Sequence, residues 1–336
     1  MKDYCLYLSS FSNTFKIELD RIISAGFKVA ELQAEFFATT RNKASRVFAD
    51  NTPPASYLER AGVEVWGYVS PFWLLSEAVL GGLRDTGMDD DPYHLRRSFT
   101  RVVQGDRWYL KDRTGMTCMA MGQYPVADIT VDACRDAIVD LLLDHPCQRL
   151  RFDNSMVHQD AYVRPLPHAP MQDYLDAQVD VYRRLRAAGK QVVVNGGWEM
   201  MDPQIIPWTY PLHDVVDGVM MEFPYRFWGW QFTPAMFAPV ALAWADKRVI
   251  LVAPYTTQGY KASVWPDYQT HARTLAGYAD RLGWWFATGE EAPNQSMTGR
   301  IHPPSEWRIP DAPKPLTLEA RVEALEQWRE AMLAAS

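Results

Sequence analysis

A chain of 336 residues, 48% hydrophobic and 22% charged, can bury a large core, and its length allows one large domain or two ordinary ones. The formal net charge of -7, with no dense Lys/Arg run, excludes nucleic acid as a main partner, because phosphate-backbone binding needs a basic footprint. No run is long and apolar enough to span a bilayer, so no membrane partner is expected.

The N-terminus MKDYCLYLSS passes from one Lys and one Asp into a β-like stretch, without the apolar core and small-residue cleavage site of a signal peptide. Cytoplasmic residence is the expectation. Cys5, Cys118, Cys134 and Cys147 show no C-x-x-C spacing and are too few to frame a chain this long, so reduced, buried thiols are expected. Aromatic residues are abundant, with 13 Trp, 16 Tyr and 14 Phe.

Along the chain one cassette recurs: an amphipathic helix, a small residue and Gly, then a short β-branched strand ending in a polar or aromatic residue. It is clearest at SAG-FKVAELQ (24–33), RAG-VEVWGYVS (60–70) and AAG-KQVVVNGG (187–197). Gly at the helix C′ position supplies the left-handed turn from which each strand starts. In order, the pattern predicts strands near 4–10, 27–33, 63–70, 148–154, 191–197, 217–223, 248–255 and 282–288. Helices are predicted over 14–25, 54–61, 131–144, 171–188, about 200–212, 233–246, 267–281 and 317–334.

Eight strands alternating with helices imply a parallel sheet, and eight is the number that closes a barrel. We therefore expect residues 1–336 to form a single (β/α)8 TIM-barrel domain. An open doubly wound sheet is the competitor, but no G-x-G-x-x-G follows the first strand. Residues 71–130, after the third strand, depart from the cassette and suggest an insertion acting as a functional cover, a hairpin excursion or a decoration. IHPPSEWRIPDAPKP (301–315) suggests an extended strap leading to the last helix.

Barrels of this class carry their active sites at the C-terminal strand ends, so a polar residue closing an apolar strand is informative. Strand two ends in Glu31, Gln33 and Glu35, strand three in Tyr68 and Ser70, and strand four in Asp153 and Asn154. Strand five ends in Asn195, strand six in Glu222, strand seven in Tyr255 and strand eight in Thr288. Asp153 and Glu222 follow the apolar runs LRF and GVMM on alternate strands, which direct residues into one layer.

Two carboxylates in one half-buried site split their pKa values, leaving one as proton donor and one ionised, which is the equipment for glycosidic-bond cleavage. A separation of roughly 5–5.5 Å would indicate a retaining path and roughly 6.5–9.5 Å an inverting one. The alternative is that one or both hold loop backbone or pair with Arg151 or Arg226. Trp66, Tyr68, Trp73, Trp198, Tyr225, Trp228, Trp230, Tyr255, Tyr260 and Trp265 all fall on the predicted C-terminal side, where flat rings suit sugar faces.

Other chemistries lack their equipment. The seven His show no H-x-H or H-E-x-x-H pattern, so no metal is expected, and no strand ends in a Schiff-base Lys. There is no G-x-S-x-G elbow or Walker-type loop, and no cofactor is expected. NGG at 195–197 suggests a turn exposing Asn195 rather than a phosphate nest.

RLRFDNSM resembles the "DGxxxDN" strand of the polygalactosaminidase-type barrels, glycoside hydrolase families 114 and 135. VVVNGG followed by VDGVMMEF is similar to their "xxxNxG … vDGvxxE" strand pair, and DRWYLKDRTG…CMAMGQYP resembles the "W…G…P" stretch of several glycosidase-like barrels. The resemblance covers about a third of the chain in short motifs and departs from the family where Gln148-Arg149 replaces the usual Asp-Gly. It implies Asp153 as nucleophile or charge stabiliser, Asn154 as its polar neighbour and Glu222 as acid/base; substrate identity is not carried over.

The leading expectation is a glycoside hydrolase cleaving an oligo- or polysaccharide through Asp153 and Glu222. Asn154, Asn195, Tyr68, Ser70, Glu31, Gln33, Trp73, Trp198, Tyr225, Trp228 and Tyr255 would line the carbohydrate site. Two alternatives stand: a non-catalytic carbohydrate-binding barrel with one carboxylate neutralised by a fixed Arg, and an isomerase or lyase using Glu222 as general base. Oligomeric state has no signal in the sequence.

Overall fold

The computed structural model describes residues 2–6, 15–37, 52–76, 95–120, 122–153, 163–164, 171–196, 211–222, 234–253 and 265–288. Eight parallel strands close into a barrel: β1 (Lys2–Leu6), β2 (Val29–Gln33), β3 (Glu64–Val69), β4 (Arg149–Phe152), β5 (Gln191–Asn195), β6 (Gly218–Glu222), β7 (Arg248–Ala253) and β8 (Trp285–Thr288). Each strand pairs with its neighbours in sequence, and β1 pairs with β8. Starting at Tyr4, which faces Val29, and following the register once round, the pairing returns to β1 eight residues away. That stagger is the shear of a (β/α)8 barrel.

Among the described residues, the α-helices between strands are α1 (Phe15–Ser24), α2 (Pro54–Arg60), α3 (Leu95–Asp106), α4 (Asp132–Asp144), α5 (Met171–Ala187), α6 (Pro234–Ala243) and α7 (Trp265–Leu282). Side chains of one parity on each strand face outward to these helices. Leu19 and Ile22 of α1 and Leu58 of α2 pack with Ala30, Leu32 and Val65, while Val139 and Leu142 of α4 and Tyr182 and Leu185 of α5 belong to the larger shell with Leu150, Phe152, Val192 and Val194. Gly26, Gly62, Gly189 and Gly283, at φ +70° to +84°, make the left-handed turns before β2, β3, β5 and β8.

The opposite parity forms a separate inner cluster of Tyr4, Val29, Trp66, Val193, Met220, Ile250, Val252 and Ala287. Trp66 is 2% exposed inside the barrel, so the expectation that it lines the C-terminal rim is corrected. Between the rings of Trp66 and Trp285 lies the Arg248 guanidinium, 5.0 Å from each, ion-paired to Glu64 at 2.5 Å. This group closes the N-terminal end of the barrel.

The described residues of the 71–130 segment contribute to the core. Phe72, Leu74, Phe99, Val103, Leu110, Cys118 and Val126 are each 0–1% exposed in the main hydrophobic cluster. The cassette reading overlooked α3, which packs on α4. Met119–Ala120, Tyr124–Pro125 and Val163–Arg164 form a small antiparallel sheet that ties this segment to the chain following β4. Of the helix expected near 200–212, only a turn at 211–213 falls among the described residues, and the helix expected at 317–334 lies outside them.

Candidate active site

Inward positions in a barrel of shear eight stack in layers drawn from alternate strands. The strand register assigns Tyr4, Trp66, Val193 and Ile250 to one layer, Glu31, Arg151, Met220 and Ala287 to the next towards the C-terminal ends, and Tyr68, Asn195 and Val252 to the next. Positions 33, 153 and 222 share the layer above that. Glu222 ends β6 two residues after the inward Met220 and pairs in the ladder with Val252, so its backbone stands level with Asp153; its side chain is not among those described.

Above the Arg248–Glu64 pair, the layer of Tyr4, Trp66, Val193 and Ile250 is largely apolar, as barrel interiors usually are, but the next layers turn polar. Glu31 and Arg151 are 0% and 1% exposed and meet in a two-point ion pair: Arg151 Nε donates to Oε2 at 2.8 Å and Nη2 to Oε1 at 2.5 Å. The Tyr4 hydroxyl donates to Glu31 Oε2 at 2.8 Å from the layer below. The remaining arm of the fork, Arg151 Nη1, donates to Asp153 Oδ1 at 2.8 Å.

Asp153 follows β4, with its N–H bonded to the Val69 carbonyl at 2.8 Å, which holds it at the rim of the strand pair. Its Oδ1 also accepts from Asn195 Nδ2 at 2.8 Å, and its Oδ2 accepts from the Tyr68 hydroxyl at 2.7 Å. The Tyr68 ring packs face-on against the Arg151 guanidinium, 4.6 Å from ring centre to the central carbon. Three strands, β3, β4 and β5, thus converge on one carboxylate.

Burial raises the pKa of Asp153, but the Arg151 charge and the hydrogen bonds from Tyr68, Asn195 and Arg151 outweigh it, so the carboxyl is held below its ordinary range. The Asp153 side chain is 18% exposed, against 1% for Arg151, so the anion reaches the barrel mouth and the cation does not. Burial first, and then the Glu31 charge, push the Tyr4 phenol well above its usual value, which keeps it a hydrogen-bond donor.

The sequence-selected residues separate accordingly. Asp153, Tyr68, Asn195 and Glu31 meet in one network, and Gln33 is half-buried in the Asp153 layer. Ser70, 2% exposed, lies just beyond β3. Trp73 is 3% exposed and stacked on Tyr124, with 6.4 Å between ring centres, so its ring is taken up by packing beneath the small sheet. Asn154, Trp198, Tyr225, Trp228 and Tyr255 lie outside the described residues.

Sequence reasoning named Arg151 only as a possible counter-ion and missed Tyr4. The signal for Arg151 was its spacing: Arg149, Arg151 and Asp153 alternate, so they share the inward face. Among the described residues no group of three or more His, Cys, Asp or Glu could hold a metal, and no helix is long and apolar enough to cross a membrane.

No family model and no curated protein matches the chain. Among solved structures it resembles, distantly, the glycoside hydrolase domain of PelA from Pseudomonas aeruginosa, at 14% identity over 89% of this chain and 98% of that one, with a TM-score of 0.49. The PgaB (BpsB) glycoside hydrolase domain from Bordetella bronchiseptica matches at 12% identity over 94% of its length and 86% of this chain, TM-score 0.48. Aspergillus fumigatus Ega3, solved with galactosamine, matches at 13% identity over 90% of its length and 86% of this chain, TM-score 0.45. At these identities and TM-scores the likenesses carry neither substrate nor residue roles.

Proposed function

We propose that the chain is a glycoside hydrolase acting on an oligo- or polysaccharide at the C-terminal mouth of its barrel, with Asp153 as the ionised carboxylate and Glu222 as the proton donor and acceptor. The observation that carries this reading is the environment of Asp153: three donors on three strands orient an anion whose pKa is depressed and whose edge reaches the mouth. A fixed negative charge there would stabilise the positive charge that develops on a glycosyl carbon, or attack it directly. Glu222 stands level with Asp153 on an alternate strand, a placement suited to protonating the leaving oxygen from across the mouth.

The tie to buried Arg151 favours a second reading, a carbohydrate-binding barrel whose carboxylate is neutralised. The sharing of that guanidinium weighs against it: two of its nitrogens are on Glu31 and one is on Asp153, and Asp153 is the member of the trio nearest solvent.

The deciding experiment is hydrolysis of a panel of amino-sugar and neutral polysaccharides by wild type beside Asp153→Asn and Glu222→Gln. Each substitution is expected to lower turnover about a thousandfold or more while glycan binding persists. Wild type that binds a glycan and cleaves nothing establishes the binding barrel instead. Cleavage indifferent to both substitutions moves the site elsewhere.

A further inference from the structure

The inner layers of a closed barrel are ordinarily filled by branched apolar side chains, and a buried ion pair is seldom a gain in stability over an apolar pair of the same volume. Here a charged pair lies one layer below the Tyr68–Asn195 layer and reaches through it to Asp153. Its geometry is tightly determined. Both oxygens of Glu31 are engaged by Arg151, the Tyr4 hydroxyl adds a further hydrogen bond to Oε2, and the guanidinium plane is held by Tyr68, whose own hydroxyl donates to Asp153.

We propose that Glu31 is a positioning residue for Asp153: it clamps Arg151 at two points, aims the Nη1 nitrogen at Asp153 Oδ1, and draws part of the guanidinium charge to itself, so that Asp153 is oriented without receiving the whole of that charge. Glu31, expected from the sequence to touch substrate, is instead sealed beneath the site at 0% exposure. Tyr4 tunes the clamp, because its hydrogen bond to Oε2 moderates the charge that Glu31 presents to Arg151. The kinetic consequences rest on the hydrolase reading; the electrostatic ones do not.

The groups that bear on Asp153 are Arg151 on its own strand, Tyr68 on β3, Asn195 on β5, Glu31 on β2 and Tyr4 on β1, with Glu222 in its layer on β6 and Arg248 on β7 acting on Tyr4 from the closed end. Replacing Glu31 by Gln gives Asp153 a larger share of the Arg151 charge, so the titration of Asp153 moves to lower pH. Replacing Tyr4 by Phe strips a donor from Glu31, strengthens its hold on Arg151 and moves the titration to higher pH. A role confined to packing gives no such opposition of sign.

The test is carbon-13 NMR of the Asp153 carboxyl, assigned by its loss in Asp153→Asn, followed through an acid titration in wild type, Glu31→Gln and Tyr4→Phe. Opposite displacements in the two variants are the expected result. Unmoved midpoints, or displacement of both in one direction, overturn the proposal. If Glu31→Gln fails to fold, the upward displacement in Tyr4→Phe decides alone, and its absence overturns the proposal. Where wild type cleaves a glycan, Glu31→Gln is also expected to lose about tenfold in kcat with KM within about twofold, the pattern of lost transition-state stabilisation. Wild type without any glycosidase activity removes the hydrolase reading and leaves the titrations to decide the role of Glu31.

Discussion

Arg151 is the residue on which the polar half of the barrel interior depends, because it is the cation described between two carboxylates and is itself 1% exposed. Truncating one member of a buried pair is far more costly than replacing both, since the survivor keeps its charge and loses its partner. Arg151→Met is therefore expected to lower unfolding stability by about 3–5 kcal/mol, read from urea denaturation at neutral pH. Glu31→Leu combined with Arg151→Met should recover part of that loss, because no buried Glu31 charge is then left without its partner. A double variant no more stable than the single one would mean that the cost comes from packing around the guanidinium and its stacking on Tyr68.

At the scale of elements, the close approach of neighbouring strands and loops is set by glycines that tolerate no side chain. A Cβ on Gly67 of β3 would lie 2.6 Å from Cys147 Sγ, while one on Gly218 of β6 would lie 2.4 Å from the Arg248 carbonyl oxygen. The first obstacle is a side chain and the second is backbone. Gly67→Ala should cost about 1–3 kcal/mol, and a double-mutant cycle with Cys147→Ala should recover about 1 kcal/mol as coupling. Gly218→Ala should cost more than Gly67→Ala, with no single side-chain truncation to relieve it. Equal costs for the two, or no coupling at Cys147, would show that the strands shift more freely than this packing allows.

The same scale explains what could be read from the sequence. Strands β2, β3 and β5 fall inside their predicted windows because SAG, RAG and AAG place Gly26, Gly62 and Gly189 at the left-handed turns where helices end. Helix α3 was missed because it lacks that mark: Asp106 is followed by Arg107, which takes the positive φ of 58° without a glycine. Asp153 was legible as a polar residue closing an apolar strand. The inward position of Trp66 and the partnership of Tyr4 with Glu31 were not, because both depend on the stagger between strands, which no local pattern encodes.

For the molecule as a whole, the end of the barrel opposite the candidate site sets a distinct acid limit on stability. His145, 3% exposed, accepts a hydrogen bond from the Cys147 N–H at Nδ1, and its carbonyl accepts from Lys190 Nζ at 2.5 Å. An accepting Nδ1 must be unprotonated, and burial, with the nearby Lys190 charge, pulls the pKa of this imidazole from 6.5 down to about 4. The unfolded chain therefore binds a proton below about pH 6.5 that the folded chain refuses until about pH 4. The contribution is fully present above pH 6.5 and is lost progressively as pH falls to about 4, amounting to about 3 kcal/mol. Carboxylates held below their ordinary values, among them Glu64, Asp112 and Asp153, add their own losses at lower pH, outside most of this window. Unfolding free energies of wild type and His145→Asn, measured from pH 7 to pH 4, should converge as the pH falls, because the amide oxygen can accept the Cys147 N–H bond without titrating. Parallel curves across that range would mean that His145 takes up its proton as readily in the folded chain as in the unfolded one, so that the bond accepted at Nδ1 does not hold it neutral.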